Sequence, residues 1–179
     1  MKHSPQQKPR NSVVHTIEPV WDGESRVLLL GTMPSPKSRE AGFYYGHPQN
    51  RFWRVLALLF GEEIPPGSEG KRRFLLRHRI ALWDVLQSCE IIGADDNSIK
   101  NPLVNDLAPM LAQSKIAAVF TTGAAAAGLY QKHCLPRTGL PAIALPSTSP
   151  ANAACSLEVL TEKYRRILDF LPPDNIGFA

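Results

Sequence analysis

Leu28-Leu29-Leu30-Gly31-Thr32-Met33-Pro34-Ser35 decides the fold. A short, unbroken apolar run closed by Gly, Pro and Ser is how a strand buried on both faces of a parallel sheet ends in a loop. The run predicts a first strand over residues 26–30 and a long loop over 31–48. Working outward, Phe52, Val55, Leu56, Leu59 and Phe60 recur at helical spacing, predicting a helix over 50–60 that stops at Gly61. Residues 70–78 form a basic helix with Phe74, Leu75 and Leu76 as its buried stripe. A second strand covers 80–85, a polar loop 93–101, and Pro102 opens a helix running to residue 112. A third strand at 116–120 leads through Thr121-Thr122-Gly123 into an alanine-rich helix, 124–133. A fourth strand at 141–145 is followed by a final helix over 154–171.

Strands alternating with helices imply a three-layer α/β/α sandwich around a central, mainly parallel, four-stranded sheet. In such a sheet the loops after the strands share one edge, where ligands bind. The loops at 31–36, after Val85, at 121–123 and at 147–152 are therefore expected to face one cleft. Residues 1–11 read as a disordered tail, and 12–179 as one domain.

The chain has 179 residues, with 20 Lys+Arg against 16 Asp+Glu and a formal charge of +4. That balance is compatible with nucleic acid without arguing for it. Cys89, Cys134 and Cys155 are scattered and form no CxxC pair. They give no disulfide framework and no clustered ligands for a zinc or iron–sulfur site. No run approaches a membrane span and the polar N-terminus has no leader-like apolar region, which points to a cytoplasmic protein with no membrane partner.

Hydrolase signatures are missing: neither HExxH nor GxSxG occurs, and no GK[ST] ending makes a phosphate loop. The block Tyr44-Tyr45-Gly46-His47-Pro48-Gln49-Asn50-Arg51-Phe52-Trp53 combines aromatic faces with amide donors, which suit a flat, hydrogen-bonding ring such as a nucleobase. A structural loop with aromatic residues in the core is the competing account of the same residues. His47, followed by Pro48, is expected to brace this loop. Leu145-Pro146-Ser147-Thr148-Ser149-Pro150-Ala151-Asn152 is hydroxyl-rich, and Ser147 and Ser149 are candidates either to cap the last helix or to hold a phosphate.

Taken together, the strand-GTMPS loop, the YYGHPQNRFW block and the LPSTSPAN loop resemble the uracil-DNA glycosylase superfamily. The nearest likeness is its hypoxanthine-DNA glycosylase branch, beside the mismatch-specific uracil-DNA glycosylases, over roughly residues 16–171. The resemblance implies a monomeric, monofunctional DNA glycosylase that flips a deaminated base from DNA, hypoxanthine or uracil, and hydrolyses its N-glycosidic bond. A bacterial enzyme of this kind would work at the nucleoid. The mismatch-specific loop carries an Asn that positions water; here Met33 stands there, and the role passes to Asn50, which could alternatively cap its helix. Thr32 and Met33 would supply backbone amides to the base, Tyr45 would stack on it, and Asp84 would sit at the base-reading position. Ser147, Thr148, Ser149, Asn152 and Arg51 would contact the DNA backbone. The rival readings are a uracil glycosylase specific for G:U mismatches and a noncatalytic nucleic-acid-binding module on the same sheet.

Overall fold

The computed structural model describes residues 9–173; most of the expected N-terminal tail lies outside them. The central sheet is built from β2 (Val27–Gly31), β3 (Ile80–Asp84), β6 (Ala118–Thr122) and β7 (Ala142–Leu145), ordered β3-β2-β6-β7 and parallel throughout. Every residue of β2 is buried, as a strand covered on both faces requires. Its side chains divide between two cores: Leu29 joins the cluster under α2 (Phe52–Phe60), α3 (Gly67–Arg77) and α7 (Leu157–Tyr164), whereas Leu28 and Leu30 face the opposite one. This is the alternation a strand period of two imposes. The expected sandwich and its parallel sheet are present.

A second sheet was not foreseen. β1 (Asn11–Val14), β4 (Leu86–Ile92) and β5 (Asp95–Val104) form an antiparallel sheet ordered β1-β4-β5. The expected polar loop at 93–101 is instead a hairpin turning at Gly93 (φ 60°) and Ala94. β5 is an edge strand, largely exposed and joined to β4 by shifted registers, so its sequence carries no apolar alternation to betray it. Pro102 lies within this edge strand, where a missing N–H is tolerated. It does not open a helix, and α4 is confined to Ala108–Ala112. Asn11, assigned to the tail, begins β1.

Three further expectations are corrected. The expected loop over 31–48 holds a short helix, α1 (Pro36–Ala41), capped by the Ser35 hydroxyl accepting the Ser38 amide. The alanine-rich helix runs on past residue 133: α5 (Ala124–Leu129) loosens into a π-helical turn at Tyr130–Cys134 and continues as α6 (Leu135–Thr138). The last helix starts at Leu157, capped by the Ser156 hydroxyl accepting the Val159 amide, and tightens into a 3-10 helix at Arg165–Phe170. Ser147 and Ser149 cap nothing; their hydroxyls accept the amides of Ser149 and Ala151 in local turns (both 3.2 Å).

Losing the Ser156 cap is expected to cost about 1 kcal/mol, lowering the melting temperature by roughly 2–4 °C. Thermal unfolding of Ser156→Ala beside Ser149→Ala checks this, the second variant shifting less.

Candidate active site

The C-terminal ends of all four parallel strands open into one cavity of about 140 Å³. That leaves room for a planar ring. Gly31 ends β2 and Thr32 to Ser35 follow it, Asp84 ends β3, Thr122 ends β6, and Ser147 to Ser149 follow β7. The β4–β5 hairpin covers the far side with Gly93, Ala94 and Asp96, while Tyr45 and Asn50 come from the segment before α2. Of the expected site residues, Thr32, Met33, Tyr45, Asn50, Asp84, Ser147, Thr148 and Ser149 line the cavity; Arg51 and Asn152 stand behind it.

The loop after β2 presents its amides. The carbonyls of Gly31 and Thr32 accept from Val85 (2.8 Å) and Leu86 (3.1 Å), which fixes the loop against β3–β4. Among the described residues the Thr32 and Met33 amides have no protein acceptor, and both residues line the cavity. Gly31 is required by packing, since a Cβ there would collide with Asp84 Oδ1 and lie 3.2 Å from the Tyr45 hydroxyl.

Tyr45 adopts φ 53°, a left-handed conformation that costs a non-glycine residue on the order of 1–3 kcal/mol. Two contacts hold it there. Its ring stacks on Phe52 at 3.8 Å and 12°, and its hydroxyl meets Thr122 Oγ1 at 2.9 Å. Because Thr122 itself donates to the Leu30 carbonyl, Tyr45 is the donor to Thr122. Burial, then the negative charge of Asp84, push its phenol well above the ordinary tyrosine range, so it remains a neutral donor. With Phe52 covering one face, the ring can offer the cavity its other face or its edge.

Asn50 joins two parts of the site. Its Oδ1 accepts the Phe52 amide (2.9 Å), starting α2, and the Thr148 hydroxyl (2.9 Å) from the loop after β7. A backbone N–H can only donate, which fixes the carboxamide orientation and turns Nδ2 away from these contacts. His47 braces the same segment, its Nδ1 accepting the Gln49 amide at 3.1 Å.

Arg51, expected on a DNA phosphate, turns inward. Its guanidinium donates to the carbonyls of Thr148 (3.4 Å), Ser149 (2.9 Å), Asn152 (2.9 Å) and Cys155. Its own amide adds a bond to the Thr148 carbonyl at 3.1 Å. Asn152 closes the loop from the other end, Nδ2 donating to the Ser147 carbonyl at 2.9 Å.

Two site residues escaped the sequence reading. His15, just past β1, places Nε2 2.8 Å from Asp84 Oδ2, with both side chains almost fully buried. Asp96 stands at the rim on β5. Loss of water around its carboxyl pushes its pKa up, the Thr32 hydroxyl opposes this, and the charges of Asp84 and Asp95 add to the rise. A hairpin reading of Gly93-Ala94 would have brought Asp96 into view; nothing local marks His15.

A family model described as the Uracil DNA glycosylase superfamily matches residues 19–169. The chain belongs to that superfamily. It is 36% identical over 100 residues to the hypoxanthine DNA glycosylase of Methanosarcina barkeri, covering 52% of this chain and 63% of that protein, just under two thirds. The hypoxanthine DNA glycosylase of Methanosarcina acetivorans is 32% identical over 134 residues, covering 74% and 84% of the two chains. Among solved structures, the solution NMR structure of a Methanosarcina acetivorans protein proposed to be a uracil DNA glycosylase superimposes with a TM-score of 0.72 at 30% identity. That match covers 86% of this chain and 98% of the other.

Removing the Arg51 fork is expected to free the loop it gathers. Arg51→Ala should cost about 1.5–3 kcal/mol, and Arg51→Lys should recover little, since an ammonium cannot reproduce the planar fork. Urea unfolding, with hydrogen exchange of the amides in residues 148–155, checks both.

Proposed function

We propose that this protein is a monofunctional DNA glycosylase that removes deaminated bases from DNA, hypoxanthine first and uracil second, leaving an abasic site. The observation that carries this reading is the ring-sized cavity where two free backbone donors, a stacked tyrosine and the Asn50 carboxamide meet. The relatives named hypoxanthine DNA glycosylase support the choice of base. Such an enzyme would act as a monomer on DNA in the cytoplasm and would require no metal or organic cofactor.

Reaching the cavity requires the nucleotide to leave the duplex, at a cost of roughly a few kcal/mol. Tyr45 then packs against the ring. The Thr32 and Met33 amides donate to a ring carbonyl and gain strength as negative charge develops on the departing base. A donor of this kind is commonly worth about 2.7–4 kcal/mol. Asn50 is neutral and no base. Its oxygen is occupied by Phe52 and Thr148, so it orients the attacking water through Nδ2.

As the water oxygen bonds to C1′ and the C1′–N bond breaks, the water must lose a proton. Asp84 is hydrogen-bonded by His15, which leaves Asp96 as the other carboxylate lining the cavity. It faces the same cavity as Asn50, and we assign it that proton. The 147–152 loop, shaped from behind by Arg51, offers Ser147, Thr148 and Ser149 to the phosphates flanking the lesion. Arg51 would thus serve DNA through the loop it holds.

Single-turnover cleavage of duplexes containing deoxyinosine or deoxyuridine, with alkali to reveal abasic sites, tests the reading. Wild type should excise from deoxyinosine faster than from deoxyuridine, and Asn50→Ala should lose at least about 100-fold. Excision confined to deoxyuridine opposite guanine would reassign the base specificity. Retained binding with no excision of either base would reduce the protein to a binding module.

Asp96 carries a pH signature. A base must be ionised to accept a proton, so the wild-type rate should fall as pH drops through its raised pKa. Asp96→Asn should remove that acid limb and lower the plateau by about 100-fold, the lower end of general-base effects. A pH–rate profile of both proteins checks this.

A further inference from the structure

The buried pair of His15 and Asp84 has no part in breaking the glycosidic bond, yet its carboxyl lines the cavity. Asp84 is 4% exposed, and a carboxyl that deep is costly without a donor. His15 meets that need from one side, with Nε2 on Oδ2 at 2.8 Å. Oδ1 lies against Gly31, and among the described residues no side chain donates to it. One oxygen is therefore occupied, and the other has no side-chain donor among the described residues of the cavity.

Deamination changes one ring atom in the same way in both parent bases. Adenine N1 and cytosine N3 are bare acceptors; in hypoxanthine and uracil the corresponding nitrogens carry hydrogen and donate. A single fixed acceptor oxygen separates product from parent at that atom, since it bonds N–H and repels a bare lone pair. A free carboxyl would be a poor sensor. It could turn, offer both oxygens to an exocyclic amine, or carry a proton and donate to the bare nitrogen of the parent base.

We propose that His15 is the positioning residue that makes Asp84 a one-oxygen acceptor, and that this pair is how the cavity tells deaminated bases from adenine and cytosine. The inference rests on the glycosylase reading and extends it to base selection. His15 precedes residues 19–169, the part matched by the superfamily model, so the sensor is completed by the N-terminal strand. Guanine and thymine also carry the ring N–H. The contact therefore separates the deaminated bases from adenine and cytosine alone.

The test uses binding, so that it does not depend on turnover. In an Asn50→Ala background, fluorescence anisotropy compares duplexes containing a single deoxyinosine, deoxyuridine, deoxyadenosine or deoxycytidine at the same site. His15→Phe should cut the preference for deoxyinosine over deoxyadenosine, and for deoxyuridine over deoxycytidine, by about tenfold or more, the scale of one well-made base-edge contact. His15→Gln places an amide donor near Nε2 and should restore most of the preference. Asp84→Asn, which can donate as well as accept, should lose it. Unchanged preference in His15→Phe, or equal loss in folded His15→Gln and His15→Phe, would overturn the proposal. Should His15→Phe fail to fold, His15→Gln against Asp84→Asn decides it: equal preference in the two rejects the sensor. Absence of excision by wild type would count against the glycosylase reading, while the binding preferences would still decide the role of His15.

Discussion

The site depends on one positive charge set among carbonyl oxygens. Arg51 gathers the backbone of residues 148–155 with a single guanidinium, and the loop after β7 has no helix or strand of its own to fix it. An arginine suits the task because its planar fork directs several donors at once. The adjacent Asn50 bonds Thr148 of the same loop. Two consecutive residues at the start of α2 therefore set both the rear wall of the cavity and its polar rim. The water-orienting amide and the phosphate-facing hydroxyls thus occupy fixed positions relative to each other.

The same economy recurs across the cavity. Gly31 ends β2 and supplies no side chain, so Asp84 and Tyr45 can close over it. Tyr45 is held in a strained backbone conformation by a stack on Phe52 and a bond to Thr122, and that strain places an aromatic ring beside the ends of the strands. Thr122 relays the contact to the Leu30 carbonyl. Thr122 thus ties the end of β6 to β2, while Asp84 at the end of β3 packs against Gly31.

The parts legible in the sequence were those where local pattern and tertiary role agree. β2 reads as a buried strand because it is apolar throughout, and α2 reads as a helix because Phe52, Val55, Leu56 and Leu59 bury one face. The cavity lies where the loops after such strands meet, at the C-terminal edge of the sheet. The antiparallel sheet was illegible because β5 is exposed, polar and irregular in register, while Asn101-Pro102 imitates a helix start. Asp96 was lost along with that hairpin. His15 is a single histidine whose meaning comes wholly from Asp84, 69 residues away; no local pattern can encode such a contact. Arg51 was singled out for the right region but the wrong partner, since a sequence does not show which way a guanidinium turns.

The account as a whole holds that a flipped, deaminated base enters this cavity edge-first against Asp84. A crystal structure of Asn50→Ala bound to a duplex containing one deoxyinosine tests it most directly. The account predicts the hypoxanthine ring against Tyr45, its carbonyl at the Thr32 and Met33 amides, and N1 within about 3 Å of Asp84 Oδ1. A base still stacked in the duplex, or a ring seated with its N1 edge away from Asp84, would contradict it.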